Sequence, residues 1–446
     1  MYFHDFIILE LHKLLSIKEF NAFLNLTLLF REYKRKLYIW NFDGKNSMKY
    51  LEDVDFYNHM NELLCNGNTQ LSIRTNSFNT ENLTRIINPI TNIYKLTLCM
   101  LSYTITDDFI KRFENIQILE LIRNYSITDE CCLHISKIKT LHTLDLHCSP
   151  KLTDEGFKHL GNIHTLGLVY CKITDEGLKY LGNVHTLDLS FNEKITDEGL
   201  KYLGKVHTLN LNWCKLVTIG CLKYLENIHN LSLYDCKCIT KLTEKDLKLL
   251  GKIHTLKLNH SLNITDECLK HLGNCHTLHL PNCYSITNIT PLAKCYKLDL
   301  TGCKNISDGI SHLGNVHTLD LSNCDKITDE DIKHLGNVHT LDLTGCKNLT
   351  NECIKYLGKC HTLSLRPIDL TDDCLKYLVN VNTLEISCKI VTSVSVVNHL
   401  YNVKDLTIYD ADHIHKRDVK SIQCKIMRMF DSDGEYYTDY SSDDEE

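Results

Sequence analysis

No segment of this 446-residue chain is apolar enough to cross a membrane. The longest nearly apolar run, Phe20 to Phe30, is interrupted by Asn21, Asn25 and Thr27 and falls short of the ~18 residues that a spanning helix needs. The opening MYFHDFIILELHKLL carries acids where a secretory signal has a basic stretch, and no small-residue cleavage site follows. A cytoplasmic protein is therefore expected, with no membrane partner. Excess charge is also missing from most of the chain. Net charge is -7, but the acids concentrate in DSDGEYYTDYSSDDEE at 431–446, which has no Lys or Arg. The remainder is close to neutral, which leaves no electrostatic footprint for nucleic acid. Three alanines and five prolines stand against abundant Ile, Lys, Asn and Tyr, a bias of AT-rich genomes that says nothing about mechanism. Catalytic signatures are absent as well: there is no P-loop, GxGxxG, HExxH or GxSxG, so no enzyme and no cofactor are expected. With 43% hydrophobic and 24% charged residues, a buried core is expected and wholesale disorder is not.

What the chain does have is a period. His-Thr-Leu recurs with its His at 142, 164, 185, 207, 254, 276, 317, 339 and 361, and His229 fills the gap between 207 and 254. Degenerate copies place Tyr94, Gln117, Tyr296, Asn382 and Lys404 at the same point, with fainter ones at Thr69 and Lys425. One full unit reads VHTLDLSNCDKITDEDIKHLGN, Val316 to Asn337. With Val316 as position one, the apolar residues at one, four and six (Val316, Leu319, Leu321) alternate as in a short strand with one buried face. Ile327 adds a core anchor, Thr328 is a helix N-cap, and Asp329 and Glu330 fall where the helix dipole favours acids. Gly336 is placed to end the helix in a left-handed cap. Neither the strand nor a helix of roughly eight residues is stable alone. Each unit must bury its apolar face against the next, and the predicted fold is an α/β solenoid.

Fourteen of the 22 cysteines fall on three positions of the same period. Cys171, Cys214, Cys236, Cys283, Cys303, Cys324 and Cys346 stand at position nine, where the strand turns into a loop and wants a small, buried, weak donor. Cys221, Cys268, Cys353 and Cys374 share one helical position, and Cys275, Cys295 and Cys360 replace the apolar residue at position one. They are expected to be reduced core residues, not disulfides or a zinc site. The histidine column is expected to be a hydrogen-bonding spine at the strand entrance, with a pH sensor or a metal strip as the alternatives. Asp410, His413 and His415 make the one non-repetitive His/Asp cluster, which is expected to be a solvated loop.

The pattern LxxLxLxxC followed by ITDxGL resembles the cysteine-containing leucine-rich repeat over about residues 65 to 430. The resemblance implies a horseshoe with a concave parallel sheet and convex helices, in some 16 to 17 units. Residues 1–60 do not repeat. Their apolar residues Ile7, Ile8, Leu11, Leu14, Leu15, Phe20, Phe23, Leu24 and Leu28 have helical spacing, and Ser16 with Glu19 forms a capping box. A small helical module follows, which is either a cap for the first repeat or something more. The segment resembles an F-box, whose motif falls on Phe3 to Ile7, Ile8 to Leu11, Leu14, Leu15, Glu19 and Phe20, with later aromatics at Phe30 and Trp40. His4 and Phe6 replace the family's proline and glutamate. The combination is similar to putative F-box/leucine-rich-repeat proteins of amoeba-infecting giant DNA viruses, which would place the chain in host cytoplasm. It implies a substrate-recognition subunit of a Skp-cullin-F-box ubiquitin ligase, with Ile8, Leu11, Leu15 and Phe20 holding a Skp-type adaptor. The alternative is a stand-alone interaction scaffold.

A partner surface is expected on the strands' solvent side. Position five is acidic in many units, including Asp145, Asp188, Asp299, Asp320, Asp342 and Glu385. Tyr170, Phe191, Trp213 and Tyr234 add large aromatics at positions seven or eight in consecutive units, followed by the insertion Lys241 to Thr243. A contiguous patch that takes a basic or mixed-charge partner is expected. Residues 431–446 are expected to form a disordered acidic tail, with Ser441 and Ser442 in an acidophilic kinase pattern.

Overall fold

The computed structural model describes residues 38–42, 69–74, 93–99, 105–410 (apart from 112, 226, 237–241, 259–263, 367, 369 and 388), 414, 426–430 and 436–441. The F-box-like segment before residue 38, with Ile8, Leu11, Leu15 and Phe20, lies outside the described residues, as do Lys241, His413, His415 and Ser442. The chain divides into two compact units, one of Met1–Val217 with Tyr224–Ile228 and one of Thr218–Lys223 with His229–Glu446.

Each unit is a leucine-rich-repeat solenoid. In the first, parallel strands run from Tyr38–Phe42 through Thr69–Arg74, Ile93–Cys99 and Ile118–Ile122 to the three-residue strands ending at Thr208–Asn210. Position-four leucines face one another along the ladder: Leu96, Leu119, Leu144, Leu166, Leu187 and Leu209. In the second, strands from Asn230–Ser232 to Ile426–Phe430 repeat the arrangement. The three apolar positions all point into the core. Val184, Leu187 and Leu189 are at most 1% exposed, and each such side chain contributes roughly 1.5–3 kcal/mol by leaving water.

The parallel ladder starts earlier than the resemblance suggested. Tyr38–Phe42 pairs with Thr69–Arg74 so that Trp40 stands opposite Leu71 and Phe42 opposite Ile73. Trp40, assigned above to a helical F-box-like module, therefore occupies a strand position of the repeat. At the other end, the acidic tail is not wholly unstructured: Tyr436–Ser441 pairs antiparallel with Ile426–Phe430. Its tyrosines and threonine favour strand, and the last parallel strand offers an edge for them to cover.

The strand-to-loop corner is held by side chains because the backbone alone cannot satisfy itself there. The position-seven N–H turns back to the position-five side chain: Ser190 N donates to Asp188 Oδ1 at 2.9 Å, Ser322 N to Asp320 Oδ1 at 2.9 Å and Thr344 N to Asp342 Oδ1 at 2.8 Å. The position-six carbonyl accepts from position nine of the following unit. Cys214 Sγ reaches Leu189 O at 3.2 Å, Cys303 Sγ reaches Leu280 O at 3.1 Å, and Asn192 Nδ2 reaches Leu168 O at 2.8 Å. Position nine thus uses its cysteines as weak donors between units.

The helix starts are tied together in the same way. Thr196 donates its N–H to Asp175 Oδ1 at 2.8 Å and its hydroxyl to Asp175 Oδ2 at 2.6 Å, one unit earlier. Thr128, Thr153, Thr174, Thr287, Thr350 and Thr392 are clasped likewise by Asp107, Asp129, Asp154, Asp266, Asp329 and Asp372. In this unit the clasp closes on the third helical residue, where a Cβ on Gly199 would lie 2.4 Å from Asp175 Oδ1, whereas the clasps of Thr128, Thr350 and Thr392 accommodate Cys131, Cys353 and Ser395 there. Thr243 and Thr328 take no such clasp and use their own third residue instead, Asp246 and Asp331, in capping boxes. Gly336 does not take a left-handed conformation, contrary to the sequence expectation. It is glycine because the next unit approaches closely: a Cβ there would lie 2.5 Å from Tyr356 O.

Removing the clasp by Asp175→Ala is expected to lower unfolding free energy by ~1–2 kcal/mol, as for a lost N-cap. Gly199→Ala should destabilise by more in the parent than in the Asp175→Ala background. Additive costs in denaturant titrations would contradict the clasp.

Candidate interaction surface

Position eight is the turning point of every corner. Its N–H continues the ladder to the next unit, as in Tyr170 N to Ser190 O at 2.9 Å and Phe191 N to Asn212 O at 2.8 Å. The residue there takes positive φ: Gly302 (69°), Gly345 (77°), Asn282 (59°), Asn323 (57°), Asp235 (55°) and Asp410 (52°), and in the first unit also Arg123 (58°) and Cys148 (57°). Gly, Asn and Asp enter this region at little cost. Tyr170 (54°), Phe191 (61°) and Trp213 (62°) occupy the same conformation, where a bulky side chain costs roughly 1–2 kcal/mol. They are 64%, 43% and 39% exposed, so all three rings still present a face to water. Phe191 and Trp213 stack with centroids 5.5 Å apart and planes at 8°. The signal for this conformation was present in the sequence, as Gly and Asn at position eight of other units.

Tyr234, the fourth aromatic expected in the patch, stands at position seven and is half-buried, and the left-handed residue of its unit is Asp235. It belongs to the second compact unit, and Tyr170, Phe191 and Trp213 to the first.

The acidic column is committed to the fold. Asp188 accepts from Ser190 N, from Ser190 Oγ at 2.5 Å and from Asn210 Nδ2 at 2.9 Å. Asp299 accepts from Thr301 N at 3.0 Å and from Thr301 Oγ1 at 2.7 Å, with His279 Nδ1 at 3.1 Å. Burial pushes the Asp299 carboxyl up, but its hydrogen bonds from His279 and Thr301 outweigh this and hold it below the usual range. Burial raises Asp145 and Asp342. Asp320 accepts from Ser322 Oγ at 2.6 Å. These acids are corner braces first, so they supply less free negative charge to a partner than their sequence column suggested. Asp410 likewise is a corner residue that accepts from Ser387 Oγ.

The histidines form the spine expected at the strand entrance. His142, His164, His185 and His207 stack at 4.1–4.5 Å in the first unit. In the second, His229, His254, His276, Tyr296, His317, His339 and His361 stack at 4.3–4.8 Å. Ring Nδ1 atoms sit beside the following threonine hydroxyl, as in His164 with Thr165 at 3.2 Å. Near-parallel stacked rings do not aim two nitrogens at one ion. Among the described residues, no group of three or more His, Cys, Asp or Glu is placed to hold a metal. Burial pushes the thiols of Cys171 and Cys346 up to about 12, which suppresses thiolate chemistry.

The chain matches the family described as Leucine Rich repeat at residues 162–182, 183–204 and 313–336. No curated protein matches it. Among solved structures, an internalin from Listeria monocytogenes aligns at 19% identity over 72% of this chain and 88% of its own, with a TM-score of 0.41. The yeast Rad7 and Elc1 complex aligns at 18% identity over 85% of this chain and 95% of the other, with a TM-score of 0.44. The mouse RP105/MD-1 complex aligns at 13% identity over 78% and 87%, with a TM-score of 0.41.

Two outcomes follow. Tyr170→Asn is expected to raise unfolding free energy by ~0.5–1 kcal/mol, because a residue suited to positive φ replaces an exposed ring; a loss of stability would show that Tyr170 is packed. The second concerns pH. Burial, then the neighbouring rings His142 and His185, lower the His164 pKa; burial, then His229 and His276, lower that of His254. Their neutral forms therefore stabilise the fold fully above the unfolded value of about 6.5, and that contribution is lost as pH falls through the folded values. Between pH 7 and 5 the melting temperature should drop less in His164→Tyr, a substitution copied from Tyr296, than in the parent.

Proposed function

We propose that the chain is a non-catalytic protein-interaction scaffold whose partner site is built on Tyr170, Phe191 and Trp213. The observation that carries this reading is the placement of exposed aromatics in a left-handed corner that other units give to Gly302, Gly345, Asn282 and Asn323. Bulky residues held in an unfavourable backbone region at solvent-facing positions motivate a functional reading, and clustered Trp and Tyr side chains are the usual anchors of interfaces. Asp188 is a secondary contact in this reading, and Tyr234, Asp299, Asp320 and Asp342, which belong to the second compact unit, are not counted in the site. The non-catalytic part is supported by buried, proton-retaining thiols and by carboxylates engaged in corner hydrogen bonds.

The finer reading is that the scaffold is the substrate-recognition subunit of a Skp-cullin-F-box ubiquitin ligase in the cytoplasm. Its support is the sequence before residue 38: the helical apolar spacing, the Ser16 and Glu19 capping box, and the F-box resemblance. The ladder position of Trp40 shortens the segment available for that motif. In this reading Ile8, Leu11, Leu15 and Phe20 meet the adaptor.

The full chain carrying Leu15→Glu and Phe20→Glu separates the two. Loss of Skp-type adaptor pull-down with an unchanged melting temperature supports the ligase role. No adaptor binding by the parent leaves the scaffold alone, and collapse of the whole fold in the variant assigns the segment to capping the repeats.

A further inference from the structure

The chemistry of the partner can be read from the loop edge beside the aromatic column, on the premise that this column is the scaffold's site. We propose that Tyr170, Phe191 and Trp213, with the lysines that follow them, dock an extended acidic segment of a partner protein. Two or three residues past position eight, successive units carry Lys151, Lys172, Lys194 and Lys215, all exposed. The acid on the same stretch is Glu193, and it pairs with Lys215 at 2.7 Å. Lys172, Lys194 and Lys215 follow Tyr170, Phe191 and Trp213 by two or three residues in the same loops, so the cationic edge and the rings lie side by side. The nearby position-five carboxylates Asp145 and Asp188 are half-buried and occupied by the corner N–H groups of His147 and Ser190. The more exposed charge at the loop edge beside the rings is that of the lysines, which favours an acidic segment over the basic partner expected from the acidic column.

The second unit supplies an internal control. Lys304 and Lys347 occupy the same loop positions, but Asp325 lies between them, at 4.0 Å and 3.5 Å, and Gly302, Asn323 and Gly345 present no rings. Lysine in the loop is thus a property of the repeat. Lys215 is paired with Glu193, but Lys172 and Lys194 have no ion-pair partner among the described residues, and lysines of that kind next to rings fixed by ladder hydrogen bonds belong to the first unit. A single-stranded nucleic acid would use both features, but Phe191 and Trp213 stack directly on one another at 5.5 Å, leaving no gap for a base between them. A peptide laid along the rings with its acids toward the lysines requires no such gap, and its rigid anchors limit the entropy lost on binding.

The test uses the full chain and three fluorescently labelled probes: a peptide of alternating Glu and Leu, its Lys and Leu counterpart, and oligo(dT). Anisotropy should show the Glu peptide binding and the Lys peptide not binding. Affinity should fall at least tenfold in Lys172→Glu with Lys194→Glu, and at least tenfold in Phe191→Asn with Trp213→Asn, substitutions that suit positive φ. Lys304→Glu with Lys347→Glu should bind as the parent does, and melting temperatures should show all variants folded. Binding of the Lys peptide that is lost in the Phe191→Asn, Trp213→Asn variant would keep the column as the scaffold's site and overturn the acidic partner. Oligo(dT) binding lost in the lysine variant would overturn it in favour of nucleic acid. No binding of the Glu peptide, or binding unaffected by either first-unit variant, would overturn it outright.

Discussion

Everything in this molecule depends on closing backbone hydrogen bonds between one repeat and the next. A three-residue strand and a four-residue helix leave most of their N–H and C=O groups without partners inside the unit. The neighbour supplies them at two places. At the corner, where the position-seven N–H turns back to its own unit's position-five carboxylate, the position-nine thiol or amide covers the preceding unit's position-six carbonyl. At the helix start, an aspartate clasps the threonine one unit later through both oxygens. The buried leucines provide the larger free energy, but they would tolerate sliding. The polar contacts fix the register at which the leucines meet, since an unmade buried hydrogen bond costs about 1–3 kcal/mol.

That division explains what could be read from the chain in advance. The strand alternation, the threonine caps, the cysteine column and the histidine spine repeat locally, so periodicity exposed them. Contacts between residues some 20 positions apart do not appear in a local pattern. Asp329 looked like an ordinary first-turn acid, yet its carboxylate belongs to Thr350 of the following unit. Gly336 looked like a left-handed stop, yet what excludes its side chain is the carbonyl of Tyr356. Trp40 was missed as a repeat residue because its unit reads Tyr-Ile-Trp-Asn-Phe, with no His-Thr-Leu to announce it. The aromatic residues of the candidate site were visible, but not the conformation that makes them unusual, which required comparing them with Gly302 and Asn323 in backbone angle.

The acidic column shows how a correct pattern can carry the wrong chemistry. Asp188, Asp320 and Asp342 do recur at position five and do stand at the strands' solvent side. Their first role is to accept the N–H two residues later at the strand-to-loop corner, a demand of the corner itself whatever the unit binds. A column imposed by the fold is weak evidence for a ligand. A column that departs from what the fold prefers is stronger evidence, and position eight of the first unit is such a departure.

The place of that departure is also physically reasonable. The aspartate clasp runs unbroken through the units around the aromatic residues, from Asp107 and Thr128 through Asp129 and Thr153, then Asp154 and Thr174, to Asp175 and Thr196. In the second unit it is interrupted: Thr243 and Thr328 fall back on their own Asp246 and Asp331, and Thr265 and Thr371 have no side-chain cap bond. There, among the described residues, position eight holds Asp235, Asn282, Gly302, Asn323, Gly345 and Asp410, each at ease with positive φ. Three successive strained aromatics together oppose folding by a few kcal/mol, comparable to the clasps that run alongside them. A stretch without those clasps would have less margin to hold bulky rings in such corners. The regularity of the helix face and the irregularity of the loop edge are therefore coupled, and the most uniformly tied segment of the solenoid is the one that carries the surface least required by the fold.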